Sequence, residues 1–146
     1  MYNFAYGSNM STDYLRQYCP SAQPIMTAVL PNYEIQFRRY STDLQGGIST
    51  IMEAPGHLVE GVIYEIPRAA IEELDILEDV PLGLYHRDGF LVLGADVKWH
   101  HAELYRVVTP EGPFPVSERY LAYMIAGATE HRLSKGYIEK LTALRT

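Results

Sequence analysis

The sequence predicts an α+β fold in which a small, mostly antiparallel β-barrel is flanked by short helices. About six or seven short segments rich in β-branched and aromatic residues are typical of strands. About four other segments show helical spacing, and none of them is long. The hydrophobic fraction of 47% over 146 residues is enough to bury a core. We therefore expect a single domain spanning residues 1–146.

The N-terminal half begins with a short aromatic strand over residues 2–6, which breaks at Gly7. Ser11 is suited to cap a short helix that ends before Pro20, because a serine side chain satisfies the first amides of a helix. Beyond this helix, the hydrophobic pattern changes to that of strands. These cover residues 25–30, 33–37, 48–52 and 59–66, and Gly61 marks a bulge or a close backbone approach in the last of them.

The C-terminal half contains both helices and strands. Pro67 suits the first position of a helix that ends near residues 79–81, and two strands follow over residues 85–93 and 97–108. Ser117 and Ser134 each precede a segment with apolar residues at helical spacing, so we expect two capped helices at the end of the chain.

The charge and cysteine content exclude several classes of protein. The net charge is −6, from 18 acidic and 12 basic residues, and the basic residues are dispersed, so we expect no nucleic-acid partner. No stretch approaches the roughly 20 apolar residues that a membrane span needs, so we expect no membrane partner. A lone Cys19 suits a reducing compartment, which together with the absence of a signal segment predicts a cytoplasmic protein. Monomer and homodimer both remain open.

The first candidate site is the loop that follows the N-terminal strand. Gly7 permits a close approach of the backbone to a ligand, and amides at the start of the next helix can bind a negatively charged oxygen. This is the chemistry of an oxyanion hole or a carboxylate pocket. The alternative is an ordinary strand-to-helix turn in which Ser8 or Asn9 satisfies local amides, and spacing alone favours that turn.

The second candidate is Glu78, which lies one helical turn after the apolar Leu74 and therefore along the same side. Desolvation would raise the pKa of an inward-facing carboxyl, as is usual for a general base that works near neutral pH. The alternative is a solvated acidic helix end, which the residues alone favour. Cys19 with a histidine, and the His100-His101 pair, are weaker candidates, and no motif requires a metal or another cofactor.

Several segments together resemble the gamma-glutamylcyclotransferase family, which includes avirulence-induced-gene-like proteins and butirosin-pathway cyclotransferases. The resemblance covers almost the whole chain, and its segments occur in the family's order. They are Phe-Ala-Tyr-Gly-Ser-Asn at residues 4–9, Gly-Gly-Ile-Ser-Thr-Ile at 46–51, Gly-Val-Ile-Tyr at 61–64, Leu-Asp-Ile-Leu-Glu-Asp-Val at 74–80 running to Gly-Leu-Tyr at 83–85, and the tail at 115–120 and 127–128.

The resemblance implies an enzyme that closes a gamma-glutamyl group into 5-oxoproline and releases an amine or amino acid, with no cofactor. The family's acid/base glutamate falls on Glu78, and Tyr105 is a weaker site candidate. Two residues depart from the family: Asp79 replaces a common glycine, and Asn3 stands where an aromatic residue is common. The implied substrate-binding residues are Asn3, Phe4, Ala5, Tyr6, Gly7, Ser8, Tyr85 and Tyr120.

Two alternatives to a gamma-glutamyl amino acid substrate stay open. One is a cyclotransferase that removes a gamma-glutamyl group from a biosynthetic amine intermediate. The other is a module that binds an acidic metabolite without converting it. Glutathione is a further possible substrate, although the glutathione-specific branch resembles this chain less across its length.

Overall fold

The computed structural model describes residues 1–145 and contains a closed barrel with the strand order β1-β3-β2-β4-β5. β1 pairs in parallel with β5, whereas the other paired neighbours are antiparallel. The mostly antiparallel barrel predicted from the sequence is therefore confirmed. The strands are β1 Tyr2–Ala5, β2 Gln23–Ser41, β3 Gly46–Glu65, β4 Tyr85–Gly94 and β5 Trp99–Val107.

Within residues 1–145, four helices flank the barrel, as predicted. Ser11, Ser117 and Ser134 each accept a hydrogen bond from the amide three residues later, which confirms all three predicted caps. Pro67 precedes its helix instead of opening it, because its ψ of 143° is extended. The helices are α1 Thr12–Tyr18, α2 Arg68–Leu77, α3 Glu118–Glu130 and α4 Lys135–Thr142, and a short 3-10 helix covers Ser8–Met10.

The predicted number of strands is wrong, because β2 and β3 each unite two predicted strands into runs of 19 and 20 residues. The ladder between them continues past Pro31 through a register shift. At this bulge Asn32 adopts a φ of 68°, and its side-chain oxygen accepts a hydrogen bond from the Gly56 amide at 3.1 Å. Asn32 is the β2 residue left unpaired at this shift, so the strand continues past Pro31 without ending.

Two hydrophobic cores hold the fold together. One lies between the barrel and the helices, and the other fills the barrel. Gly61 is a point of close approach, as predicted, because a side chain there would collide with the carbonyl oxygen of Ala5. No helix within residues 1–145 is long and apolar enough to span a membrane. The barrel core consists of Phe4, Tyr6, Ala28, Leu30, Ile51, Val59, Ile63, Val92, Ala102 and Leu104.

Candidate active site

A cleft of about 460 Å³ lies where the loop after β1, the end of α2 and the first turn of α3 meet. All the site residues that the family resemblance implies line this cleft, although they come from separate parts of the chain. The Phe4 side chain lies in the barrel core, so it supports the cleft from beneath. The predicted residues that the cleft brings together are Asn3, Phe4, Ala5, Tyr6, Gly7, Ser8, Glu78, Tyr85, Tyr105 and Tyr120.

The loop after β1 is shaped by its glycine. Gly7 precedes the 3-10 helix at Ser8–Met10, and no side chain within the described residues caps that helix. A Cβ atom at Gly7 would overlap the Tyr120 hydroxyl and lie 2.8 Å from the Ser49 hydroxyl oxygen. Only glycine fits here without displacing these two side chains, so the loop backbone lies directly against the polar groups of the cleft.

Glu78 ends α2, and its amide donates to the Leu74 carbonyl at 2.9 Å. Its Oε1 accepts a hydrogen bond from the Asn9 side-chain amide at 3.2 Å. Burial of the carboxyl raises the pKa of Glu78 from 4.5 to about 7, against the opposing effects of the Asn9 amide and the Arg39 charge. Glu78 is half-buried in the cleft, so its carboxyl is less solvated than at the exposed helix end that the residues alone favour.

Asp79 occupies the position at which a glycine is common in the resembling family. Its φ of 56° is left-handed, which explains why glycine suits the position. Its carboxylate pairs with Arg39 at 3.0 Å, and the Arg39 guanidinium lies 5.2 Å from the centre of the Tyr85 ring. The negative charge of Asp79 contributes to the raised pKa of Glu78, as predicted from the sequence.

Three buried tyrosines supply neutral hydroxyl groups beside the loop. Tyr120 shares a hydrogen bond of 2.7 Å with the Ser49 hydroxyl, and Tyr85 donates to the Ser49 carbonyl at 3.2 Å. Tyr6 donates to the Tyr105 carbonyl. Burial raises the pKa of Tyr6, Tyr85 and Tyr120. They therefore remain protonated at neutral pH. Because Tyr6 and Tyr85 donate their protons to backbone carbonyls, their hydroxyl oxygens can accept hydrogen bonds from a ligand.

Sequence reasoning did not select several polar residues that line or brace this cleft. Asn9 and Ser49 lie within segments that carry the family resemblance, so a hydrogen-bonding role could have been suspected there. Asp75 also lies within such a segment, and it accepts hydrogen bonds from the Tyr105 hydroxyl at 2.6 Å and from Arg87 Nε at 2.9 Å. The Asn3 side-chain nitrogen is buried and has no hydrogen-bond partner within residues 1–145.

The cysteine and histidine candidates lie elsewhere. Cys19 is buried at the end of α1 and does not line the cleft. His100 pairs with Asp96 at 2.8 Å, while the His101 side chain is exposed. Among residues 1–145, no group of three or more His, Cys, Asp or Glu side chains is arranged to hold a metal ion.

Comparison with known proteins gives one consistent result. The AIG2-like family matches residues 58–141. Gamma-glutamylcyclotransferases of Mus musculus and Homo sapiens are each 32% identical over 145 residues, which cover 97% of this chain and 77% of those proteins. A solved structure of a gamma-glutamyl cyclotransferase superimposes with a TM-score of 0.93 at 31% identity, covering 98% of this chain and 86% of that one. The chain therefore belongs to the gamma-glutamylcyclotransferase family and is an enzyme.

Proposed function

We propose that this protein cyclises the gamma-glutamyl group of a small molecule to 5-oxoproline and releases an amine or amino acid. The observation that carries this proposal is the Glu78 carboxyl, whose pKa is about 7 and which shares a cleft with the Gly7 loop. A carboxyl with a pKa near neutral can both accept and donate a proton at physiological pH. The reaction requires both of these abilities.

The substrate supplies its own nucleophile, which limits what the enzyme must do. The alpha-nitrogen of a gamma-glutamyl group can reach the gamma-carbonyl carbon and close a five-membered lactam. Holding the folded conformer therefore exploits intramolecular proximity, which is a large source of rate enhancement. The cleft of about 460 Å³ is large enough to hold such a small molecule.

Glu78 carries the central proton transfer in this proposal. Its carboxylate removes a proton from the alpha-ammonium group, and the freed nitrogen attacks the gamma-carbonyl carbon to form a tetrahedral intermediate. The bond from that carbon to the leaving nitrogen then breaks as Glu78 returns the proton to the leaving nitrogen. The ring nitrogen loses its second proton to solvent, and the released amine takes one up, so the proton count balances. No covalent enzyme intermediate is required.

The remaining cleft residues bind and orient the substrate. The Gly7 and Ser8 backbone lies against the polar groups of the cleft, and in our proposal its amides bind the tetrahedral oxygen or the alpha-carboxylate. The neutral hydroxyls of Tyr6, Tyr85 and Tyr120 surround the same region. In our proposal Asn3, Phe4 and Ala5 complete the wall, and the reaction takes place in the cytoplasm.

The proposal is tested by measuring 5-oxoproline release by the purified protein. The panel contains gamma-glutamyl amino acids, gamma-glutamylamines and glutathione, so it detects turnover and ranks the leaving groups together. We expect release from at least one gamma-glutamyl compound, with an equimolar amount of the free amine. Formation of glutamate in place of 5-oxoproline, or no turnover of any compound, would contradict the proposed reaction.

A further inference from the structure

Three tyrosines that the proposed chemistry does not use form an aromatic wall in the outer part of the cleft. The Tyr14 ring lies 4.2 Å from the Tyr123 ring and 5.4 Å from the Tyr18 ring, measured between ring centres. All three line the same cleft as Glu78. Tyr18 is 43% exposed, and none of the three belongs to the hydrophobic cores. Aromatic surface left open in a cleft indicates a binding surface.

The position of the aromatic wall follows from the two helices that carry it. Tyr14 and Tyr18 are four residues apart on α1, which begins directly after the Gly7 loop and its 3-10 helix. Tyr123 lies one turn after Tyr120, whose hydroxyl lies against the Gly7 loop. The wall therefore continues outward from the place where the gamma-glutamyl group would be bound.

Arg119 adds a positive charge to this outer part of the cleft. It is four residues before Tyr123 on α3, so the two side chains are neighbours. Its Nη2 donates to the Asp43 backbone carbonyl at 2.6 Å, but it forms no ion pair with any carboxylate within residues 1–145. A guanidinium has five N–H donors, so donors remain to bind a ligand carboxylate. Arg39, by contrast, is already paired with Asp79.

We infer that the aromatic wall and Arg119 form a subsite for the leaving group, and that this subsite selects an amino acid with an aromatic or large apolar side chain and a free carboxylate. The inference rests on the proposed function and names its substrate class. The rings contact the side chain of the leaving amino acid, and Arg119 binds its carboxylate.

Three substrates test the aromatic contact and the carboxylate contact independently of each other. They are gamma-glutamyl-phenylalanine, gamma-glutamyl-alanine, which lacks the ring, and gamma-glutamyl-phenethylamine, which lacks the carboxylate. The readouts are two ratios of kcat/KM, one of phenylalanine to alanine and one of phenylalanine to phenethylamine. Ratios cancel any general loss of activity, since such a loss affects all three substrates alike.

Tyr18→Ala is expected to lower the phenylalanine-to-alanine ratio about fivefold, because an aromatic contact is lost. Arg119→Gln is expected to lower the phenylalanine-to-phenethylamine ratio about tenfold, because a hydrogen bond to a charged group is lost. Each variant should preserve the other ratio. Tyr40→Ala is the control for Tyr18, since Tyr40 is 52% exposed and lies outside the cleft lining. Arg16→Gln is the control for Arg119, since Arg16 also donates to a backbone carbonyl but does not line the cleft.

An unchanged phenylalanine-to-alanine ratio in Tyr18→Ala overturns the aromatic subsite, and an unchanged phenylalanine-to-phenethylamine ratio in Arg119→Gln overturns the carboxylate contact. Thermal unfolding of each variant checks that it is folded. Calorimetric dissociation constants for the same compounds, measured with the protein and its variants, test the subsite without turnover. If no substrate yields 5-oxoproline, the proposed reaction fails, while the ratios of dissociation constants still decide the subsite.

Discussion

Asp75 and Glu78 are two carboxylates three residues apart at the end of α2, yet their partners differ in kind. Asp75 accepts hydrogen bonds from a cation, Arg87, at 2.9 Å and from the Tyr105 hydroxyl at 2.6 Å. Glu78 accepts one from the neutral Asn9 amide at 3.2 Å. The role of Asp75 is therefore structural, since it holds the Arg87 and Tyr105 side chains in place. Glu78 is desolvated without a strong partner, which leaves it able to exchange a proton near neutral pH.

The difference shows that the role of a carboxylate is decided by partners that approach from elsewhere in the chain. Arg87 also contacts Glu103, so the bonds of Asp75 connect α2 to β4 and β5. The partner of Glu78 comes from the loop that we propose binds the substrate. A charged partner beside Glu78 would have kept its pKa low, and the carboxyl would then be a poor proton acceptor.

The largest expected effect is on catalysis by Glu78→Gln. Glutamine keeps the shape and can still accept the hydrogen bond from Asn9, but it cannot take up a proton. We expect kcat to fall by a factor of about 10² to 10⁴, the usual loss when a general base is removed. The measurement is 5-oxoproline release from the best substrate. Glu73→Gln, on the exposed side of α2, is the matched control. Full activity of Glu78→Gln would eliminate Glu78 as the catalyst.

The fold was predictable where it depends on local signals. The serine caps of α1, α3 and α4 are such signals, because a side chain satisfies amides three residues away. The long hairpin of β2 and β3 was not predictable, since Pro31 ends a strand pattern locally while pairing across the hairpin carries the ladder past it.

The site was predictable only in part. The Gly7 loop and Glu78 were selected through the family resemblance, whereas the residues alone favoured a solvated helix end for Glu78. The burial of its carboxyl depends on tertiary packing, and its hydrogen-bond partner lies 69 residues away in the chain. Periodicity within one helix carries no information about such a partner. The same applies to the pairing of Asp75 with Tyr105 across 30 residues.

The second expected effect concerns stability, where Glu78→Gln should be more stable than the wild type at high pH. The unfolded chain releases the Glu78 proton near pH 4.5, but the folded chain releases it only near pH 7. Between these values the folded state binds more protons, so wild-type stability falls as pH rises. Above pH 7 the cost is on the order of 3 kcal/mol, and glutamine avoids it. Urea unfolding at pH 4 and pH 8 measures the difference.

Asp75→Asn is the opposing variant in the same measurement. It removes the charge that Arg87 and Tyr105 contact, so we expect a loss of about 1–3 kcal/mol in the free energy of unfolding. At pH 8 the two substitutions should therefore change stability in opposite directions. If both destabilise the protein at pH 8 by similar amounts, the two carboxylates do not differ as their partners indicate.

A smaller effect is expected from removing the hydroxyl groups of Tyr85 and Tyr120. Each hydroxyl is bonded to Ser49, and in our proposal each also positions the substrate. Tyr→Phe should lower kcat/KM by the equivalent of about 0.5–3 kcal/mol if the hydroxyl contacts substrate. Tyr33→Phe, outside the cleft lining, is the control. If both variants keep wild-type efficiency, the two tyrosines belong to the scaffold alone.

The smallest expected effect is a displacement of the pH profile by Asp79→Asn. The wild-type kcat/KM should rise with pH and level off above about 7, as Glu78 loses its proton and becomes a base. The charge of Asp79 raises the pKa of Glu78, and Asp79 also pairs with Arg39, whose charge lowers it. Asp79→Asn therefore lowers the pKa of Glu78 in two ways: it removes a negative charge, and it leaves the Arg39 charge unpaired. The rising limb of the pH profile should move to lower pH.

Asparagine suits this test because it tolerates the left-handed backbone at position 79, so the substitution changes charge with little change in conformation. Arg39→Gln should move the limb the opposite way, to higher pH, because it removes a cation that lowers the pKa of Glu78. Asp13→Asn, exposed on α1, controls for net charge. If the rising limb of all three variants coincides with that of the wild type, the pH profile reports a group other than Glu78. Opposite displacements by Asp79→Asn and Arg39→Gln, with none in Asp13→Asn, would identify Glu78 as the titrating group, because both charges act on its carboxyl.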